Sequence, residues 1–335
     1  KLGKEDSKYR ITVDGMVGEN NRVFRDVELL AKDSMYIFIE VTADIASSNP
    51  TDFLYTDQIL FDEGTNQQKV ELVTLIQDAY FLFPKRFNDG TTETLTIEGI
   101  EKPVYGFVLD ENDPANGNEY HWGNDKPYVV YGYAAVASSK TLTIDPGARV
   151  HFHANSGLIV ADDASLDING GLSTYNTDGS VLVNNEVVFE GDRLEPGYSE
   201  VPGQWGTVWF LPGSKANNIT NLTIKNATVG MLVSGNDGTP TPTIDMTNVQ
   251  IYNCSNVGIL ARTGNMIGKN VVINNCGQAS LACTFGGSYD FTHCTFANYW
   301  GSPNQTCLVM SNDDISSTSP THLTNTNFKN CIFYG

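Results

Sequence analysis

Few residues in this 335-residue chain stand at spacings that do chemistry. Hydrolysis of a glycosidic bond needs two carboxylates roughly 5 to 10 Å apart, and the adjacent pairs are Asp162-Asp163 and Asp313-Asp314. Neighbouring side chains on a strand point to opposite faces, so spacing preorganises neither pair, and both read as solvated turns. His151-x-His153 would share a strand face and could bind a metal. No further ligand stands near it in sequence, and a partly exposed strand face is the simpler reading. A lyase acting on acidic sugars needs cations to neutralise the substrate carboxylate. From Thr141 onward the Lys and Arg residues (Arg149, Arg193, Lys215, Lys225, Arg262, Lys269 and Lys329) form no cluster in sequence, although stacking of repeats would bring equivalent positions together. No nucleophile elbow, phosphate loop or HExxH motif occurs. The residues predict no catalytic group, no metal and no cofactor.

Aromatic side chains carry the stronger hint. Tyr120-His121-Trp122 and Tyr299-Trp300 lie in Gly/Asn-rich stretches, and exposed rings are what sugar faces or partner proteins stack against. Tyr120, Trp122, Tyr299 and Trp300 are therefore the candidate binding residues, with packing or capping as the bland alternative. Asp33-Ser34-Met35 fits a short acidic-hydroxyl-aliphatic pattern used for O-glycosylation in some Gram-negative envelopes, which makes Ser34 a candidate attachment site.

The elements that would hold these residues follow from composition and pattern. Hydrophobic residues make up 40% of the chain and charged residues 18%, with 31 Gly and 13 Pro, as in a folded, turn-rich protein. The net charge of −19 repels phosphate backbones and anionic lipid surfaces and argues against nucleic acid as a partner. No stretch approaches the roughly 20 apolar residues of a membrane helix.

Two halves follow different patterns. Residues 9–102 alternate apolar and polar positions in seven short runs, including Tyr9 to Val13, Arg22 to Leu29, Tyr80 to Phe83 and Thr94 to Ile97. Turn clusters such as Asp14-Gly15 separate the runs, and the pattern reads as an antiparallel β-sandwich with immunoglobulin-like topology as the default. Residues 103–135 read as a junction and cap. From 136 to 335 the chain repeats short strand phrases with corners, as in a right-handed parallel β-helix. Leu142 and Leu166 hold equivalent places in two copies.

Later copies carry an Asn followed by a small residue: Asn226-Ala227, Asn253-Cys254 and Asn275-Cys276, then His293-Cys294 and Asn330-Cys331. Asn tolerates left-handed backbone angles at a tight corner, and its amide can bond to the copy above or below. An Asn ladder through Asn226, Asn253, Asn275 and Asn330 is expected. The residue after it faces a confined interior, so Cys254, Cys276, Cys294 and Cys331 are expected as stacked, buried free thiols. The six cysteines contain no C-x₂-C pair, which argues against a zinc site.

Lys1-Leu2-Gly3-Lys4-Glu5-Asp6-Ser7-Lys8 is polar and aperiodic, so residues 1–8 read as a flexible tether. The start at Lys1 reads as a processed mature terminus, and the last residues, Ile332-Phe333-Tyr334-Gly335, read as a repeat whose continuation lies beyond 335.

Three stretches carry a resemblance to a family: Gln67 to Leu72 leading to Gln77-Asp78-Ala79-Tyr80-Phe81, Thr141-Leu-Thr-Ile144-Asp-Pro146-Gly147, and Pro202-Gly203-Gln204-Trp205-Gly206 continuing to Ser214. They resemble right-handed parallel β-helix outer-membrane lipoproteins of Gram-negative bacteria, whose N-terminal part is a small β domain. The resemblance implies a non-catalytic lipoprotein on the outer face of the outer membrane, held by a lipid on a cysteine just before Lys1, with a plain secreted chain as the alternative. Such a protein would act as a binding or assembly component of an outer-membrane complex, beside a TonB-dependent importer or on a surface glycan. The resemblance brings no catalytic residue. Two other classes stand beside it, a carbohydrate-active β-helix enzyme (polysaccharide lyase or hydrolase) and a surface adhesin. A catalytic cluster on one sheet face would favour the enzyme, and an aromatic face would favour binding.

Overall fold

The computed structural model describes residues 1–20, 22–41, 54–62, 64–75, 79–194, 196–312 and 322–335. The chain is all-β and divides into two compact units, Lys1–Asp78 and Ala79–Gly335. Among the described residues, no helix is long and apolar enough to cross a membrane.

In the first unit, Tyr9–Val13 alternates buried and outward residues, as a strand with one face on a core must. It pairs antiparallel with Met16–Val17 across the left-handed turn Asp14-Gly15, and with Ile37–Val41 on its other edge. Leu54–Phe61 and Gln68–Leu75 form a separate antiparallel pair in continuous register. Leu2, Tyr9, Ile11, Ile59 and Leu72 make the core.

Leu2 corrects the expected tether. It is 1% exposed, and the chain around it is hydrogen-bonded: Gly3 N donates to Gln58 O at 2.8 Å and Lys4 N to Asp57 Oδ1 at 3.0 Å. One apolar side chain and a run of backbone partners suffice to fix a segment that reads as polar.

The seven-run reading of this region also changes. Tyr80–Leu82 and Thr94–Leu95 belong to the second unit, and Arg22 to Leu29 contributes only an isolated bridge at Val23. Five strands in two separate sheets remain among the described residues of the first unit.

The second unit is dominated by a large, mainly parallel sheet of many strands. Its strands fall into three ladders. The first runs Tyr80–Leu82, Tyr128–Val130, Arg149–Phe152, Val187–Gly191, Leu222–Lys225, and on through the end of Ile244–Tyr252. The second runs Val104–Val108, Tyr133–Val136, Gly157–Val160, Val208–Phe210, Val229–Val233 and the start of Val257–Asn274. The third runs His121–Trp122, Thr141–Ile144, Ser165–Asn169, Asn217–Thr220 and the start of Ile244–Tyr252. Leu142 sits opposite Leu166 in this last ladder.

Inward side chains of all three ladders share one core, in which Phe152 stacks on Trp205 at 4.4 Å and meets Phe189 edge-on at 5.6 Å. Burying each such ring contributes about 1.5–3 kcal/mol, so the core is paid for by side chains that recur at fixed places in the repeat. The parallel pattern begins at Tyr80, not at 136. Residues 103–135, expected as junction and cap, supply full members of the ladders. The long polar segment 110–118 hides this, because it separates the early strands by more residues than in the later copies.

Candidate functional site

The first ladder presents an outward row that starts on aromatic rings. Leu82 is 1% exposed and faces the core, so its neighbours Phe81 and Phe83 project outward, 46% and 59% exposed. Tyr131 follows Tyr128–Val130 on the next strand. Tyr105, 51% exposed, comes from the second ladder. Its ring lies on bare backbone at Gly132, where φ is +74° and a Cβ would meet the Tyr105 Cδ1 at 2.9 Å.

Residues 84–92 fold back over this row as a tight turn. Arg86 bridges Thr92, Phe87 N donates to Thr91 O at 2.9 Å, and the Asp89 carboxylate accepts from the Thr91 amide and hydroxyl at 2.9 and 2.7 Å. Phe81, Phe83, Tyr105 and Tyr131, with Pro84, Arg86, Gly90 and Thr92, line an open cleft of about 590 Å³.

Beyond Tyr131 the same outward face becomes polar. The His153 ring packs on Tyr131 at 4.7 Å, and its Nδ1 is 2.7 Å from Asp192 Oδ2. His151 and Glu190, each two residues earlier on the same strands, form a second rank. His151 Nδ1 is 3.5 Å from Glu190 Oε1 and has no hydrogen-bond partner. Glu190 Oε2 is 2.6 Å from Lys225 Nζ. Burial pushes the His151 imidazole below its ordinary value although Glu190 opposes this. Burial also works against a charged Lys225, but the hydrogen bond and charge of Glu190 prevail and raise it. Arg149 turns its guanidinium to backbone carbonyls, donating to Ala148 O at 3.1 Å and Glu186 O at 2.5 Å.

Two histidines and two carboxylates thus meet as a pair of ranks, with Glu190 held by Lys225. Among the described residues no group of three or more His, Cys, Asp or Glu side chains is arranged to hold a metal ion.

The residues singled out from sequence are distributed differently. Tyr120 and Trp122 are 8% and 0% exposed, which corrects their assignment as a binding platform. His121–Trp122 is itself a ladder strand, so Trp122 points inward, stacks on Tyr128 at 4.9 Å and donates from Nε1 to Glu119 O at 2.8 Å. Tyr299 is 64% exposed and meets Tyr334 at 5.2 Å, beside a half-buried Trp300, in a second cleft of about 530 Å³. The structure does not bring the two aromatic pairs together, since one sits among the first strands of the ladders and the other near the last.

Asn226, Asn253, Asn275 and Asn330 all adopt left-handed angles, as does His293. Asn275 donates its amide to Asn253, whose own amide bonds Glu200 at 2.5 Å, while Asn226 bonds Ser199 O at 2.9 Å. A second Asn ladder, absent from the sequence reading, runs from Asn270 to Asn248 at 2.7 Å and from Asn248 to Asn221 at 3.1 Å. Its signal was available, since each of these residues precedes a strand phrase at the same spacing.

Cys254, Cys276, Cys283 and Cys294 are buried, Cys307 and Cys331 are half-buried, and all six are free. The Cys276 thiol and burial together raise Cys254 well above the usual thiol range, and burial pushes Cys294 up to about 11.

Ser34 is exposed. Asp163 sits in a left-handed turn, paired with Lys215 and with the Ser139 hydroxyl, as a solvated corner. Asp313-Asp314 lies outside the described residues.

The cleft rings Phe81, Phe83 and Tyr105 and the carboxylates Glu190 and Asp192 are not singled out in the sequence, where Lys225 stands only as one of several unclustered cations. Phe81-Leu-Phe83 carries the alternation that places both rings outward, but it reads equally as a sandwich strand. Glu190 and Lys225 are 35 residues apart and meet only through strand register. No protein-family model matches the chain, nor does any curated protein or solved structure.

Proposed function

We propose that the chain is a cell-surface binding protein in which a right-handed parallel β-helix displays an aromatic cleft for a glycan. The observation that carries this is the set of exposed rings, Phe81, Phe83 and Tyr105, gathered with Tyr131 around one open cleft of about 590 Å³. Rings of this kind, held by a packed sheet, offer flat apolar faces at small conformational cost on binding.

The β-helix reading draws on three parallel ladders sharing one core, and its hand on the strong preference of parallel crossovers for right-handedness. The first unit, with two antiparallel sheets, is read as a small sandwich. As part of the same proposal the protein is lipid-anchored at the outer face of an outer membrane, beside a β-barrel partner. What supports that placement is the sequence resemblance alone.

The test is a screen of the full chain against immobilised neutral and acidic polysaccharides. Saturable binding to a defined glycan class, lost in a Phe81→Ala/Phe83→Ala variant, is the expected result. Saturable binding to none of them would overturn the reading.

A second reading, a carbohydrate-active enzyme, is favoured by one observation: Glu190 and Asp192 share an outward face next to His151 and His153. Two carboxylates on one face are what hydrolysis requires. Release of reducing ends from a bound glycan, abolished by Glu190→Gln, would establish it in place of the non-catalytic one.

A further inference from the structure

We propose that the cleft selects an acidic saccharide and that Arg86 makes the selection by pairing with a sugar carboxylate. The inference rests on the glycan reading and adds its chemical class.

Arg86 is the one charged side chain lining the cleft. The remaining lining is four aromatic rings, Pro84, Gly90 and Thr92, with no carboxylate among them. That is unusual in a chain with 39 acidic and 20 basic residues. Several other cations of the second unit are engaged: Lys140 with Glu111, Lys215 with Asp163, Lys225 with Glu190, and Arg149 with backbone carbonyls. Lys85, the immediate neighbour of Arg86, reaches Asp110 at 4.0 Å. Arg86 forms no ion pair among the described residues, and its side chain is exposed at the cleft.

The backbone of Arg86 is not free to wander. It bridges Thr92 across the turn closed by the Phe87–Thr91 hydrogen bond and the Asp89 side chain, so the base of the side chain has a fixed position relative to the rings. A planar guanidinium offers two parallel donors that match a carboxylate. A uronic acid places an apolar ring face and a carboxylate at the ring edge, which fits rings along the floor and a guanidinium at the rim.

Long-range forces oppose an acidic ligand: the net charge of −19 repels polyanions in bulk, so recognition has to come from the short-range contact with Arg86. A hydrogen-bonded pair with a charged group corresponds to about tenfold or more in affinity.

The experiment is calorimetric titration of the full chain with a panel of short oligouronides of several linkages, each as the free acid and as its methyl ester. The wild-type chain is expected to bind at least one free acid about tenfold more tightly than the matching ester. Arg86→Gln should abolish that preference while leaving the weaker ester binding in place, and Arg86→Lys should keep part of it. Equal binding of acid and ester, binding of neutral glycans alone, or a preference that survives Arg86→Gln would overturn this inference and leave the glycan reading standing. Binding of no member of this panel or of a neutral oligosaccharide set would overturn both.

Discussion

The ring of Tyr131 packs on that of His153 at 4.7 Å, tilted by 35°. This contact joins the aromatic cleft to the ranks of His and carboxylate side chains, because Tyr131 lines the cleft and His153 pairs with Asp192. Both lie on the outward side of one ladder, so a polymer lying across the strands would pass from rings to charges without leaving the sheet face. Strand spacing of about 4.8 Å sets the step between successive outward side chains.

His151 makes stability depend on pH. Its folded-state pKa is depressed by burial, against the charges of Glu190 and Asp192 and with that of Arg149. Above the ordinary histidine value of about 6.5 both states are neutral and nothing is gained or lost. Below it the unfolded chain takes up a proton that the folded chain refuses, so stability falls with falling pH, by no more than about 1.4 kcal/mol per pH unit from this residue. Urea unfolding followed between about pH 7 and pH 5 should show a shallower slope in His151→Gln than in the wild type. Identical slopes would contradict the assignment.

The Glu190–Lys225 pair is largely withdrawn from solvent, with side chains 18% and 21% exposed. Lys225→Met leaves the carboxylate without its partner and should cost about 1–3 kcal/mol, between the values of surface and buried pairs. Adding Glu190→Gln should recover part of the loss, so the double variant is more stable than additivity predicts. Chemical denaturation of the four proteins of the cycle measures this directly.

Asn248 serves both as a left-handed corner, with φ of 57°, and as the middle of the Asn221–Asn248–Asn270 ladder. Asn248→Ala loses the hydrogen bonds and pays for the backbone angle, a combined loss of about 1.5–3.5 kcal/mol. Asn248→Gly keeps the angle and should lose less. Thermal unfolding that ranked Ala above Gly in stability would sink this account of the corners.

The thiols should react in order of burial. Cys307 and Cys331 are half-buried, whereas Cys254, Cys276, Cys283 and Cys294 are buried, and burial pushes Cys283 up to about 12. A thiol reagent applied to the native chain at neutral pH should therefore label Cys307 and Cys331 first, with the others labelled only on unfolding. Mass spectrometry of partly labelled chain reads the order.

What was legible in the sequence was the local grammar of the later copies. The Asn corners, the inward Cys positions and the Leu142/Leu166 equivalence can be read because each depends on residues a few positions apart and on spacing that recurs. The early copies were obscured by excursions: residues 83–103 and 109–120 interrupt the ladders, so Tyr80–Leu82 looked like part of a sandwich and His121–Trp122 like an exposed loop. The candidate site was hidden for the same reason. Phe83, Tyr131, His153 and Asp192 are distant in sequence, and only strand register sets them side by side.

Calorimetric titration of the full chain with the glycan found in the screen tests the central claim most directly, comparing wild type with Phe81→Ala/Phe83→Ala and with Tyr299→Ala. At about 0.5–1.5 kcal/mol per ring, the double variant should bind roughly five- to 150-fold more weakly with its thermal midpoint nearly unchanged. Tyr299→Ala should bind as the wild type does. Undiminished affinity in the double variant, or loss of affinity in Tyr299→Ala instead, would contradict the assignment of the cleft.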